Sequence, residues 1–216
     1  MKAELLSAKD VVEVRAVDQV TLDFDSCSWV MDNLPLHALS NTSWPQYGTN
    51  CNAAFSMAHT GSAILVKFYI TGDYFQSSVR AINTAVNKDN CVEFFISFDQ
   101  DAYYNIEFNC LGVGKMAYGA KRTKRQFLPA SALRKIKVMN KLGHANGDFN
   151  WEMILYIPLE VFEFDAISSL KGLTCKGNFY KCGDDLPNPH FLSWNRIESP
   201  EPNFHLPAYF GEIVFQ

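Results

Sequence analysis

Residues 91–98 read CVEFFISF and residues 103–110 read YYNIEFNC, so apolar and polar side chains alternate along both runs. An alternation with a period of two is typical of a β-strand that buries one of its faces. Between the two runs lies Asp99-Gln100-Asp101, and aspartate is a residue that favours turns. The stretch therefore predicts an antiparallel β-hairpin in the middle of the chain.

The hairpin has a predicted register, in which Val92 pairs with Cys110 and Phe98 pairs with Tyr104. A slip of one residue would turn one strand over and bury the Glu107 carboxylate. Burying an unpaired carboxylate costs several kcal/mol, whereas a cross-strand pair contributes about 0.2–1 kcal/mol. We therefore expect an apolar inner face and a polar outer face. The outer face would carry Glu93, Phe95, Ser97, Asn105, Glu107 and Asn109. From the hairpin alone, a plain solvated surface explains this face as well as a binding surface does.

Strand signals recur along the whole chain, and convincing helices are missing. Turn residues such as Asn146-Gly147-Asp148 separate the segments. The predicted strands are residues 13–24, 53–58, 63–71, 91–98, 104–110, 116–120, 135–142, 150–157, 174–181, 191–197 and 211–215. Many short strands without strand–helix alternation favour an all-β fold, an antiparallel two-sheet β-sandwich. A single domain, 1–216, is simpler than two small ones.

The composition narrows the class of partner. The 216 residues include Phe 17, Tyr 9 and Trp 4, and the net charge is -4. A net acidic chain has no global attraction to nucleic acid. Residues 121–125 and 134–137 are basic and could attract phosphates, but such runs are usually solvated loops, so no nucleic-acid partner is predicted.

Membrane spans and targeting signals are not evident in the sequence. No apolar run approaches the ~18 residues of a membrane span. Residues 1–10 lack the apolar region of a signal peptide. The compartment stays open: the protein is cytoplasmic, or extracellular or periplasmic if a leader was removed.

The six cysteines show no metal or redox spacing. They are Cys27, Cys51, Cys91, Cys110, Cys175 and Cys182. No CxxC pair occurs, so zinc-ribbon and thioredoxin-like sites have no support. We predict buried free thiols, because cysteine is often a small buried hydrophobe.

The last 26 residues carry a resemblance to a known family. Residues 191–215 read FLSWNRIESPEPNFHLPAYFGEIVF. This stretch resembles the end of family 9 carbohydrate-binding modules, with a Ser-Trp strand, a proline-containing loop bearing an aromatic, and a Phe-Gly step into the final strand. Weaker matches lie at residues 63–68, 90–96 and 151–159, so the family-9-like region spans about 53–215.

The resemblance implies a jelly-roll-like β-sandwich that binds sugars in a slot without cleaving them. In that family two aromatic side chains clamp a sugar ring while carboxylate, amide and arginine groups bind its hydroxyls. Glu93 matches the binding glutamate, Asn109 the binding asparagine and Phe204 one clamp aromatic. The other clamp position falls near Asn87, which is not aromatic, and the arginine position is Glu107. The implied partner is an oligo- or polysaccharide such as xylan, in polysaccharide utilisation, and a glycoside hydrolase could accompany it.

Two more side chains near the carboxyl end are candidate sugar contacts. Trp194 is either a core residue or a sugar platform, and His205 is either hydrogen-bonded within its loop or in contact with the ligand. A sugar needs donors and acceptors beside a flat apolar surface, which Glu93, Asn109 and Phe204 would offer.

Two other functions, glycoside cleavage and haem binding, have candidate residues in the sequence. Glu93 and Glu107 could form a glycosidase pair, which needs two carboxyl groups roughly 5–9 Å apart. A haem-binding sandwich could use one of four axial ligands, His59, His144, His190 and Met57, although no CxxCH motif occurs. Family members often hold structural calcium, but the sequence has no run of oxygen ligands, so no metal or cofactor is predicted.

Overall fold

The computed structural model describes residues 10–78, 80–145 and 147–216. Residues 1–9, which belong to the amino terminus inspected for a leader, and Asn146 of the predicted turn lie outside this part. Within it, strands dominate and the chain is all-β, as predicted. The strands are β1 (Val11–Ala16), β2 (His37–Ala38), β3 (Asn52–His59), β4 (Ala63–Asp73), β5 (Cys91–Ser97), β6 (Tyr103–Asn109), β7 (Gly114–Gly119), β8 (Gln126–Phe127), β9 (Lys137–Ala145), β10 (Asp148–Pro158), β11 (Thr174–Gly183), β12 (His190–Ser193) and β13 (Gly211–Phe215).

The helices are few and short. They are α1 (Phe24–Met31) and α2 (Ala130–Leu133). The strand predicted over residues 13–24 is wrong in its second half, because β1 ends at Ala16 and α1 starts at Phe24. The Asp23 carboxylate accepts a hydrogen bond from the Ser26 amide at 2.9 Å and caps the helix. An aspartate in this position is a strong helix start signal.

The strands form one continuous mixed sheet rather than two separate antiparallel sheets. In the described ranges its 13 strands follow the order β8-β7-β6-β5-β11-β13-β1-β3-β4-β10-β9, with β12 beside β11 and β2 beside β3. The first residues of β1 run parallel to β13, and its last two, Arg15 and Ala16, run parallel to β3. The expectation of a purely antiparallel two-sheet sandwich is therefore corrected. The strand β1 pairs with β13 on one side and with β3 on the other, and so joins two halves of the sheet. We call them the "β5–β6 half" (β5–β8 and β11–β13) and the "β3–β4 half" (β2–β4, β9 and β10).

The main core lies between these two halves of the curled sheet. The ring of Phe55 in β3 stacks on Phe179 in β11 with centroids 3.7 Å apart, and Phe94 in β5 stacks on Phe179 at 4.6 Å. Trp194 is 4% exposed and packs edge-on against Phe55 and Phe179. Fully burying such side chains contributes about 1.5–3 kcal/mol each. Of the two alternatives for Trp194, the structure places it in the core and not in the lining of the cavity described below.

The central hairpin has the predicted faces but a different register. Val92 faces Phe108 and Ile96 faces Tyr104, two residues away from the predicted pairing of Val92 with Cys110. Because side chains alternate with a period of two, a shift of two leaves every face unchanged. The Ser97 hydroxyl accepts from the Gln100 amide and donates to the Ala102 carbonyl, so the wider loop is closed by its own hydrogen bonds.

The outer face of the hairpin is covered, not solvated. Glu93 is 4% exposed, and Asn105, Glu107 and Asn109 are buried as well. An "outer cluster" of buried apolar side chains forms on this face, and it consists of Trp44, Val86, Cys91, Phe95, Tyr103, Tyr180, Cys182, Ile197, Phe204 and Phe210. Five of its members belong to β5, β6 and β11, and three, Ile197, Phe204 and Phe210, come from the loop of residues 194–210, which covers these strands. Of the two alternatives that the sequence left open for this face, the plain solvated surface is therefore wrong.

The remaining expectations concern cysteines and membrane spans. All six cysteine side chains are buried, as predicted. In the described ranges, neither helix has the length or the hydropathy to cross a membrane.

Candidate functional site

A cavity of about 240 Å³ opens between the outer face of the β5–β6 half and the loop that covers it. The strands β5, β6, β7 and β11 supply its polar side, and β12 and the covering loop supply its aromatic side. It is lined by Asn87, Glu93, Glu107, Lys115, Arg122, Cys182, Asp184, Phe191, Pro202, Asn203, Phe204 and His205.

Four of the six candidate sugar-contact residues meet in this cavity: Glu93, Glu107, Phe204 and His205. Asn87, where the resemblance places the second clamp, lines the same cavity. These residues are far apart in the chain, and the sequence motifs matched each of them separately to the family. The fold brings them together in one cavity.

Asn109, like Trp194, is a candidate that lies outside the cavity lining. Its amide nitrogen donates to the Asp89 carboxylate at 2.9 Å, and its amide oxygen accepts from the Val113 amide at 2.9 Å. The Arg80 guanidinium pairs with the same carboxylate at 2.7 Å. Asn109 is fully buried, and its polar atoms close the turn after β6.

Glu93 lies on β5 directly across from Glu107 on β6. The thiol of Cys182 donates a hydrogen bond to its Oε1 at 3.2 Å. Burial, and next the facing Glu107 carboxylate, raise the pKa of Glu93 well above its usual range. The shift favours the protonated acid, which can both donate and accept hydrogen bonds.

Glu107 is held by a chain of side chains on the same face. The Lys115 ammonium of β7 contacts both of its carboxylate oxygens at 2.9 Å. The Asn105 amide donates to Oε1 at 2.8 Å, and Arg125 in turn donates to Asn105 at 2.7 Å. The carboxylate is thereby oriented, and Lys115 balances its charge inside the covered face.

Lys115 is a site residue that the sequence reading missed. In the β6–β7 register it faces Glu107 directly. Opposite charges on facing strand positions are a favourable cross-strand pair. This complementarity was a usable signal once the two strands were aligned.

The aromatic side of the cavity is built on Phe204. Its ring is 8% exposed and stacks on Tyr180 with centroids 4.1 Å apart and planes at 9°. Trp44 and Phe191 also contact it, at 6.0 and 6.1 Å. One face of Phe204 is therefore used in packing. Phe191, which is half-buried, adds a second aromatic that no motif indicated.

His205 is neutral in this environment. Its Nδ1 lies 3.0 Å from the Tyr103 hydroxyl. Burial, followed by the charge of Arg125, lowers the pKa of His205 to about 3. The same burial raises the pKa of Tyr103 to about 12. The pair therefore keeps a neutral donor and acceptor at the cavity wall.

A second acid–amide pair borders the cavity. The Asn87 amide donates to the Asp184 carboxylate at 2.8 Å. Burial raises the pKa of Asp184. With Arg122 exposed beside them, the lining offers carboxyl, amide, ammonium, guanidinium and imidazole groups around one small space. Such a set can form many directional hydrogen bonds with a hydroxyl-rich ligand.

The haem ligands considered from the sequence are dispersed. His59 donates from Nε2 to the Gln216 carbonyl and accepts at Nδ1 from Gly61. Both ring nitrogens of His190 are engaged by Lys181 and the Asn188 carbonyl. Met57 lies in the main core, and His144 is exposed on β9.

Comparison with known proteins gives one family and several related structures. A family model described as carbohydrate-binding family 9 matches residues 25–215. No curated protein matches the chain. Among solved structures, a candidate carbohydrate-binding protein from Bacteroides uniformis ATCC 8492 is similar over 97% of this chain and 100% of its own, with 33% identity and a TM-score of 0.90.

Two more similar structures are described as family 9 carbohydrate-binding modules from Caldicellulosiruptor kristjanssonii. The complex with glucose has a TM-score of 0.64 at 14% identity, over 96% of both chains. The complex with cellotriose has a TM-score of 0.56 at 14% identity, over 96% of this chain and 94% of the other. At this identity the likeness is one of fold.

Proposed function

Because the chain belongs to carbohydrate-binding family 9, we propose that it binds a saccharide, without cleaving it, in the cavity between Glu93 and Phe204. The observation that carries this proposal is the convergence of polar side chains and an aromatic wall on one small cavity. A concave site with a few convergent polar groups is the usual form of a small-ligand site.

The polar side of the cavity suits sugar hydroxyls. Each hydroxyl donates one hydrogen bond and accepts up to two. Glu107 with Lys115, and Asp184 with Asn87, present acceptors and donors side by side. Hydrogen bonds to charged groups contribute about 1.5–3 kcal/mol each, so a few of them suffice for selective binding.

The aromatic side suits the apolar face of a sugar ring. Phe204 and Phe191 form this wall, and Tyr180 holds the Phe204 ring in place from behind. A rigid ring loses little conformational freedom when a ligand packs against it, which favours binding.

We base the proposed class of saccharide on the ligands of two structurally similar modules. The two Caldicellulosiruptor kristjanssonii structures contain glucose in one case and cellotriose in the other. We therefore expect glucose-based oligosaccharides to be the first ligands to bind, with xylan and mannan oligosaccharides as the comparison. A role in polysaccharide utilisation, beside a glycoside hydrolase, is the corresponding biological setting.

The contacts of Glu107 disfavour catalysis by the Glu93–Glu107 pair. The two residues face each other on adjacent strands, which by itself is compatible with the spacing of roughly 5–9 Å that a glycosidase pair needs. Here Lys115 holds both oxygens of Glu107, which leaves that carboxylate a poor nucleophile. The family is one of binding modules, which supports the same conclusion.

Isothermal titration calorimetry with glucose, cellotriose, xylotriose and mannotriose tests the proposal. Glu93→Ala should weaken binding at least fivefold, because it leaves a buried hydrogen-bonding partner on the ligand unsatisfied, which costs about 1–3 kcal/mol. Glu160→Ala is the matched control: Glu160 is exposed and pairs with Lys135 on another part of the surface, so its variant should bind like the wild type. Circular dichroism checks that both variants fold.

Two results would overturn the proposal. The first is a wild-type protein that binds no saccharide in the calorimeter or on a glycan array. The second is a Glu93→Ala protein that folds and binds with unchanged affinity.

A further inference from the structure

Two cysteines and a glutamate form a compact cluster beside the cavity. In the register of β5 and β11, Cys91 faces Cys182 directly. The two sulfur atoms and a carboxylate oxygen of Glu93 all lie within 4.8 Å of one another. Glu93 and Cys182 line the cavity, while Cys91 is fully buried behind them.

We propose that this cluster is a binding site for a thiophilic divalent cation of the zinc type, with Cys91 and Cys182 as sulfur ligands and Glu93 as the oxygen ligand. Thiolate and carboxylate groups are both established ligand types for zinc. The site does not depend on saccharide binding, and it differs from the oxygen-only site that calcium would require.

The distances suit one coordination shell. Zn–S bonds of about 2.3 Å and Zn–O bonds of about 2.1 Å place the ligand atoms of a tetrahedral shell roughly 3.6–3.8 Å apart. The Cys182 sulfur is 3.2 Å from Glu93 Oε1, so small side-chain adjustments open the cluster to a cation. Three protein ligands leave a fourth position facing the cavity, where water or another ligand completes the shell.

The Glu93 carboxyl has hydrogen-bonding capacity to spare. In the described part of the chain, its one hydrogen bond comes from the Cys182 thiol, which is a weak donor. Buried carboxyl groups are normally satisfied by several partners or by a metal. A cation would satisfy Glu93 while the two thiols and the carboxyl release their protons to solvent.

A second cluster of similar composition provides an internal contrast. Ligand atoms of Cys51, Asp73 and His190 also lie within 4.8 Å of one another. There the buried Lys181 ammonium already sits between them, 3.0 Å from the Asp73 carboxylate and 2.8 Å from His190 Nε2. That cluster holds its own cation, so we expect it to bind no metal, and Cys51 serves as the control cysteine.

The test uses the full chain, purified in the presence of a thiol reductant and a chelator. Both are removed before the titration, because both bind Zn²⁺. Titration with ZnCl₂ by calorimetry should show one cation per chain, with a dissociation constant of about 1 μM or tighter. Titration with CoCl₂ should produce the ultraviolet charge-transfer band of cobalt–thiolate bonds. Cys182→Ser and Cys91→Ser should each weaken Zn²⁺ binding at least tenfold and diminish the band, while Cys51→Ser should change neither.

Further measurements keep the test decisive if a cysteine variant unfolds. Glu93→Gln keeps both thiols, and should weaken Zn²⁺ binding while leaving part of the cobalt–thiolate band. In the wild type, Zn²⁺ should raise the unfolding temperature, because a ligand that binds only the folded state stabilises it, and it should raise that of Cys182→Ser less. The proposal is overturned if no stoichiometric binding occurs, if Zn²⁺ does not stabilise the wild type, or if Cys51→Ser abolishes binding while Cys91→Ser and Cys182→Ser do not. No saccharide is present in these titrations, so their failure would leave the proposed saccharide binding untouched.

Discussion

Lys181 is a fully buried cation in the middle of the molecule. Its ammonium contacts the Asp73 carboxylate, His190 Nε2 and the Cys182 carbonyl at 2.8–3.0 Å. Asp73 belongs to the β3–β4 half, whereas Lys181 and His190 belong to the β5–β6 half. Removing one partner of a buried ion pair costs about 3–5 kcal/mol, because the other charge is left unpaired. This cluster therefore ties the two halves together in one arrangement.

His190 makes that cluster sensitive to acid. Burial, and next the Lys181 charge, lower the pKa of His190 to about 4 from its usual 6.5. The unfolded chain then binds more protons between pH 6.5 and 4, so the contribution of His190 to stability falls as the pH is lowered through this window. The expected loss between pH 7 and 5 is about 1–2 kcal/mol.

Urea unfolding at pH 7 and 5 measures this effect, with His190→Gln as the comparison. The glutamine side chain can still accept a hydrogen bond from Lys181 but does not titrate. From pH 7 to pH 5, the free energy of unfolding of His190→Gln should therefore fall less than that of the wild type. Other groups, including His205 with the same direction and Glu93 with the opposite one, contribute to both proteins and cancel. An equal fall in both proteins would contradict the role of His190.

Among the elements, β11 packs closely against its neighbours at Gly177. At Gly177 an added Cβ would lie 2.6 Å from the Phe95 carbonyl oxygen and 2.6 Å from a methyl of Ile213. Glycine here lets β5, β11 and β13 pack closely. We expect Gly177→Ala to lower the free energy of unfolding by about 1–3 kcal/mol through overpacking.

Gly143→Ala on β9 is the matched control for this prediction. No atom lies within 4 Å of an added Cβ at Gly143, so alanine there should be neutral or slightly stabilising. Chemical denaturation of the two variants provides the comparison. Similar denaturation midpoints for the two variants would contradict the tight packing of β11 around Gly177.

The elements also show how far sequence patterns extend. Ten of the predicted strands coincide with observed strands to within a few residues, and the one predicted over residues 13–24 matches β1 only in its first part, because alternation over five or more residues is a strong local signal. The two-residue strands β2 and β8 are too short to show alternation. The register of the central hairpin depended on the Ser97 bonds across its loop, which alternation does not encode.

At the scale of the whole molecule, β1 is the strand that makes the sheet continuous. Val12 and Val14 are fully buried in the main core, while Val11 on the same strand is 48% exposed. Val12→Ala should destabilise the protein by about 1–3 kcal/mol, because it removes buried methyl groups and leaves a cavity.

Val11→Ala, the matched change on the solvent side of β1, should alter stability by no more than about 0.5 kcal/mol. Thermal and urea unfolding compare the two variants directly. Equal stability of Val12→Ala and Val11→Ala would contradict a contribution of the buried Val12 side chain to the main core.

The sequence by itself determined the all-β class, the two faces of the central hairpin, the burial of the cysteines and the membership in a carbohydrate-binding family. These depend on alternation and short motifs, which are properties of residues close together in the chain. The tertiary structure alone decided that the acidic face of the hairpin lies beneath the covering loop, that Trp194 and Asn109 serve the packing, and that Cys91 meets Cys182. Each of these depends on segments distant in the chain that touch only after the sheet has curled, because burial and packing arise from the whole fold and not from any local pattern.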